Sequence, residues 1–210
     1  MQNESHDEIA RKIKTLNSKG VAVIFIVTGS NGSGKTVIAK KLLTDLPFHQ
    51  SYNLGVVAKT IRYIFNDAKV TRLENFTNEK ITSLFTPIIQ FACKEYSKNG
   101  VNVVIDGVQI DTDDQNWPGL VSGGVVLTVN EEVKLARNQF PETHFKRQIE
   151  LSLSDNVTYP KSPMFTTINN SGELMDTYRD VLVALQEYLD KAFEGTDVKG
   201  SVFRVNDAQL

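Results

Sequence analysis

Residues 29–36 read Gly-Ser-Asn-Gly-Ser-Gly-Lys-Thr, three glycines closing on a lysine and a threonine. The spacing satisfies G-x-x-x-x-G-K-[ST], and it stands between an apolar, β-branched run, VAVIFIVTG at 21–29, and a helical pattern, KTVIAKKLLTDL at 35–46. Glycine adopts backbone conformations that a Cβ forbids, so successive N–H groups can converge on phosphate oxygens. The helix that follows turns its positive end to the same point. On this reading Gly29, Ser30, Asn31, Gly32, Ser33 and Gly34 cradle the phosphates of ATP, Lys35 reaches the β and γ phosphates, and the Thr36 hydroxyl ligates Mg²⁺.

Asp106 is the second chemical element. It ends VNVVID, and a carboxylate at the end of a buried strand can hold the same Mg²⁺ directly or through water, although Asp106-Gly107 is also a turn dipeptide. A third element is cationic. KLARNQFPETHFKR carries Lys134, Arg137, Lys146 and Arg147 against the single acid Glu142, which suits a lid over about 134–163 that neutralises a transferring phosphoryl group and excludes water. Arg137 and Arg147 are the residues expected at the transition state, because a planar guanidinium matches phosphate geometry better than an ammonium. Phe140, Phe145, Tyr159 and Phe165 interleave with these cations, as in a nucleic-acid groove or as a lid packed on its own aromatics.

Other reactive side chains read as structural. Asp111, Asp113 and Asp114 suit a solvated acidic loop, and Trp117 before Pro118-Gly119 suits a loop anchor. His6, His49 and His144 have no metal-ligand spacing. Cys93, the single cysteine, sits among Ile88, Ile89, Phe91 and Ala92, where burial is expected.

The elements that must position these groups follow from periodicity. Ser5 and Glu8 have capping-box spacing before Ile9, Ile13 and Leu16, giving a leading helix within 1–20. Strands are expected at 21–29, 101–106, 124–129, 164–169 and 201–205. Helices are expected at 35–46, 54–65, 78–98, 131–140 and 171–193, with Pro87 kinking or breaking the third. Strands alternating with helices imply an α/β fold, a three-layer, mostly parallel sheet with helices on both faces and a small lid.

The 210 residues suit one domain, since a typical domain has about 100–200. A net charge of −2 opposes a surface that grips nucleic acid everywhere, without excluding a local basic channel. No stretch approaches the roughly 20 apolar residues that span a bilayer, and the N-terminus is polar where a secretory leader would be apolar. With one cysteine and no such leader, a cytoplasmic protein is expected.

A phosphate loop serves switches, motors and kinases alike. No N-K-x-D or T-K-x-D guanine signature occurs, and the lid cations favour a kinase; a slow phosphate-loop switch or binding module is the rival class. The blocks TGSNGSGKTVIAKKL, KTIRYIF, VVIDGVQI, VVLTVNEEVKLARNQF and TTINNSGELMDTYRDVL resemble the P-loop kinase superfamily, and within it the 2-phosphoglycerate kinase group most. The resemblance spans about residues 21–190 and is specific only at the phosphate loop. The chain is also similar to phage kinases that phosphorylate 5-hydroxymethyluracil within DNA. These resemblances imply ATP and Mg²⁺, with either a small metabolite or DNA as acceptor. They also imply that Arg62 binds the acceptor and that Asn169 and Asn170 lie near the adenine. Where such kinases often carry an aspartate after the second strand, SYNLGVVAKTIRY offers Asn53 and no acid, which leaves Asp106 to serve as base as well as metal ligand.

Overall fold

In a computed structural model of the protein, residues 2–30, 32–53, 78–107, 110–111, 123–137 and 164–199 are described. The first residues form helix α1 (Gln2–Ser18), whose Ile9, Ile13 and Leu16 recur on one face and are fully buried. Each such side chain contributes about 1.5–3 kcal/mol by leaving water. Ser5 lies inside this helix and not at its cap. Glu8 instead meets Lys12 one turn on, at 3.1 Å.

Strand β1 (Ile24–Gly29) is buried along its whole length. Its alternation divides it between two cores: Phe25 and Val27 face one side with α1, while Ile24 and Ile26 face the other. Helix α2 (Lys35–Asp45) follows the glycine loop and buries Ile38, Ala39 and Leu42 in the first core. Strand β2 (Gln50–Asn53) comes next, then α3 (Asn78–Lys98), β3 (Val103–Asp106), β4 (Gly123–Thr128), α4 (Glu131–Ala136), β5 (Phe165–Asn169) and α5 (Leu174–Lys199).

The five strands form one parallel sheet in the order β2-β3-β1-β4-β5. Residues of α1, α2 and α5 fill the core on one face. Ile89 and Cys93 of α3 fill the other, making three layers. This is the expected α/β architecture. Among the described residues no helix is long and apolar enough to cross a membrane.

Five expectations change. The strand β2, QSYN, is polar and four residues long and escapes a search for apolar runs; it pairs with β3 at the sheet edge, Gln50 beside Val103 through Asn53 beside Asp106. Helix α3 runs through Pro87 as a single element. Helix α4 ends at Ala136, short of 140, and α5 extends to Lys199, beyond 193. Phe165 belongs to the core, 7% exposed beside Gly124, so it is not part of an aromatic groove. The expected elements at 54–65 and 201–205 lie outside the described residues.

Where β2 and β3 begin, a buried polar knot sets their placement. Asn102 is fully buried; its Oδ1 accepts from Val23 N at 2.9 Å, and its Nδ2 donates to Pro47 O at 3.1 Å. Its backbone N–H donates to His49 Nδ1 at 3.1 Å, while His49 N donates to Asn102 O at 2.9 Å. One asparagine thereby fixes β1, β3 and the approach to β2, and with them the level of Asp106.

Candidate nucleotide site

The site forms at the carboxyl ends of β1 and β3, neighbouring parallel strands whose successors, β2 and β4, lie on opposite sides in the sheet order, the place where ligands of open α/β sheets bind. β1 ends at Gly29, whose φ is +140°; a Cβ there would lie 2.1 Å from Leu127 O of β4. Glycine is thus required for the loop to leave a central strand at this point. Gly34 caps α2 in the left-handed region, with φ 88° and ψ 11°. No side chain caps that helix and no acidic residue lies in its first turn, so its positive end carries no opposing charge of its own.

Lys35 opens α2 and folds back along the loop, where its Nζ donates to Gly29 O at 2.9 Å and to Ser30 O at 2.7 Å. Burial lowers its ammonium from 10.5 to about 8; Lys134 pushes the same way, and the carboxylate of Asp106 opposes both. Lys134 runs beside the loop, since a Cβ on Gly32 would come within 3.0 Å of its Cγ. Two lysines and one buried carboxylate therefore converge on a short glycine arch.

Thr36, one residue into the helix, donates its hydroxyl to Asp106 Oδ2 at 2.7 Å, and Asp106 is completely buried. The register Val27 beside Asp106 sets the carboxylate against the end of β1. The two metal-ligand candidates named from the sequence, 70 positions apart, are in direct contact.

These residues fit a magnesium-bound triphosphate on their own chemistry. Among the described residues the buried Ser33 hydroxyl has no hydrogen-bond partner in a loop whose amides have no side-chain cap, the arrangement expected where phosphate oxygens supply the partners. Thr36 and Asp106 supply hard oxygen donors, and no cluster of three or more His, Cys, Asp or Glu occurs among the described residues. A cation held by so few protein oxygens takes the remainder from phosphate and water, as Mg²⁺ does.

Arg137 lies just after α4 and does not reach the loop directly. Its guanidinium donates to Asn170 O and, at 2.8 Å, to Gly172 O. Asn170, named above beside the adenine, has a contact to the phosphate loop that the sequence reading did not indicate. It is 2% exposed, its Nδ2 donates to Ser33 O at 2.8 Å, and its Oδ1 accepts from Thr177 of α5 at 2.8 Å. The signal lay in strand alternation: Ile168 is buried and Asn169 exposed, which returns Asn170 to the inner side. Asn169 bonds instead to Ser171, whose hydroxyl and amide donate to its Oδ1 at 2.6 and 3.0 Å.

Asn31, Arg62, Lys146, Arg147, Asp113, Asp114 and Trp117 lie outside the described residues, as do His144, Phe140, Phe145 and Tyr159. Asp111 is exposed, with its amide donating to Thr86 Oγ1 at 2.8 Å. Cys93 is fully buried, and burial pushes its thiol up to about 12.

A parallel sheet of order β2-β3-β1-β4-β5, with a glycine arch leading from its central strand into a helix, defines the P-loop NTPase fold. Solved structures share it. A gluconokinase from Sinorhizobium meliloti 1021 superposes with a TM-score of 0.54 over 84% of this chain and 98% of its own, at 12% identity. APE1195 does so with a TM-score of 0.55 over 80% and 97%, at 17% identity. At these identities the likeness is one of fold. No protein-family model and no curated protein matches the sequence.

Proposed function

We propose that the chain is an ATP-dependent kinase that moves the γ-phosphate of magnesium-bound ATP to an acceptor hydroxyl. The observation that carries this is the 2.7 Å contact between Thr36 and Asp106 at the mouth of the glycine arch. It sets a hard-cation ligand pair beside the amides and the Lys35 ammonium that would hold a triphosphate. In the reaction the hydroxyl oxygen attacks the γ-phosphorus, the bond to the ADP oxygen breaks, and the hydroxyl proton leaves to Asp106 or to water. Catalysis of this kind relies on positioning and charge. The loop amides and Lys35 would hold the β and γ phosphates, and Thr36 and Asp106 would hold a magnesium ion that supplies charge neutralisation when bound. Arg147 and Arg137 belong to the lid, and Arg62 binds the acceptor.

We assign the acceptor to a small hydroxylated metabolite, as the 2-phosphoglycerate kinase resemblance implies and as the gluconokinase of like fold is named for. A net charge of −2 and the burial of Phe165 support this over a DNA groove. Incubation with γ-labelled ATP and pooled acceptors tests it: phosphoglycerates, sugar acids, nucleoside monophosphates and DNA containing 5-hydroxymethyluracil. Label is expected on a small acceptor and not with Lys35→Ala. Label on DNA, weakening steeply with salt, would replace the acceptor class. Release of inorganic phosphate alone would identify a switch and reject the kinase.

A further inference from the structure

Asn170 is a buried polar side chain held against the loop at several points. Its backbone N–H donates to Thr128 O of β4 at 2.8 Å, and its carbonyl accepts from Arg137. Its amide spans Ser33 O and Thr177 Oγ1, each at 2.8 Å. A carbonyl can only accept, so the NH₂ end must face Ser33 and the oxygen must face Thr177.

The bond to Ser33 has a consequence one atom further on. A trans peptide is planar, and its C=O and N–H point to opposite sides. Fixing the Ser33 carbonyl against Asn170 therefore fixes the direction of the Gly34 N–H, away from Asn170. At φ 88° and ψ 11° the Gly34 peptide sits where only glycine rests without strain. We infer that Asn170 is a positioning residue for the phosphate loop, aiming the Gly34 N–H at the bound phosphates before they arrive. Donors aimed in advance need no reorganisation when charge enters the site. Arg137 holds the Asn170 backbone carbonyl and Thr177 of α5 holds its side-chain oxygen, so both bear on the loop through this residue. The inference rests on the reading of residues 29–36 as a triphosphate site.

Calorimetry with two probes tests it, ATP with magnesium and tripolyphosphate with magnesium, the second sharing the phosphates without the base. Asn170→Asp keeps the shape and the bond from Thr177 but sets an oxygen against Ser33 O. Both probes are expected to bind about tenfold more weakly, by the same factor, the size expected when a hydrogen bond is replaced by an unpaired buried acceptor. Unchanged affinity for both in a folded variant overturns the inference, and so does a loss confined to ATP, which would mark a contact to the base. Should Asn170→Asp fail to fold, Thr177→Val carries the test. It removes the donor that orients the amide at nearly constant volume, and the same matched loss is expected, with unchanged binding overturning the inference. Failure of wild type to bind either probe would instead overturn the triphosphate site itself.

Discussion

Replacing Gly34 by alanine perturbs the loop in two separable ways. The residue holds φ 88°, and a left-handed conformation costs a residue with a Cβ roughly 1–2 kcal/mol. The new Cβ would also stand 2.4 Å from Asn170 Nδ2, an atom that cannot swing aside without leaving Ser33 O. Breaking that bond and stranding a buried acceptor adds about 1–3 kcal/mol. Gly34→Ala is thus expected to lose about 2–5 kcal/mol in all. For a chain of this size that lowers Tm by about 2–4 °C per kcal/mol. A cycle with Asn170→Ala separates the parts by denaturant unfolding. With the amide already gone, Gly34→Ala should cost only its backbone strain, so the double variant should be more stable than the sum of the singles predicts by about 1–3 kcal/mol. Additive losses, or a Gly34→Ala variant within about 0.5 kcal/mol of wild type, would refute the reasoning, since that is the range of surface substitutions away from such features.

Asp106→Asn leaves the Thr36 hydroxyl a partner but removes the charge, and is expected to weaken the magnesium dependence of nucleotide binding about 10–100-fold, read by titrating Mg²⁺ at fixed ATP. Gly124→Ala would press a Cβ to 2.4 Å from the Phe165 ring and 2.9 Å from Ile26 O, so a loss of about 1–3 kcal/mol is expected in thermal unfolding, with nucleotide affinity retained if the protein folds. Cys93, its thiol pushed up to about 12 by burial, should stay unlabelled by iodoacetamide at pH 8 in the native protein and label after unfolding in denaturant.

The sheet centre was legible because β1, β3 and β4 are apolar runs buried on both faces, and burial writes itself into residue type. β2 was not, since an edge strand of Gln, Ser, Tyr and Asn owes its place to pairing with β3 and to the Asn102 knot, which are contacts between distant positions. Pro87 lies within α3 without ending it, so a helix breaker in the sequence did not mark an element boundary. At the site, Gly29, Gly34, Lys35 and Thr36 were readable because phosphate binding needs them within eight consecutive residues. Asp106 was readable because a strand end fixes where a carboxylate stands. Asn170 carries its meaning through Ser33, 137 positions away, and no local pattern distinguishes an asparagine that supports a loop from one that touches a base. Phe165 misled for the same reason: the cations of 134–161 precede it in sequence, while in space it packs beside Gly124 in the core.

Kinase chemistry in this protein requires the glycine arch to hold a triphosphate. Titration of ATP onto the folded protein in magnesium buffer tests this most directly, with Lys35→Ala as the comparison. Saturable binding of one nucleotide per chain, lost in the variant and weakened when magnesium is chelated, is the expected result. Absence of binding to folded wild type, or equal binding by Lys35→Ala, would contradict it.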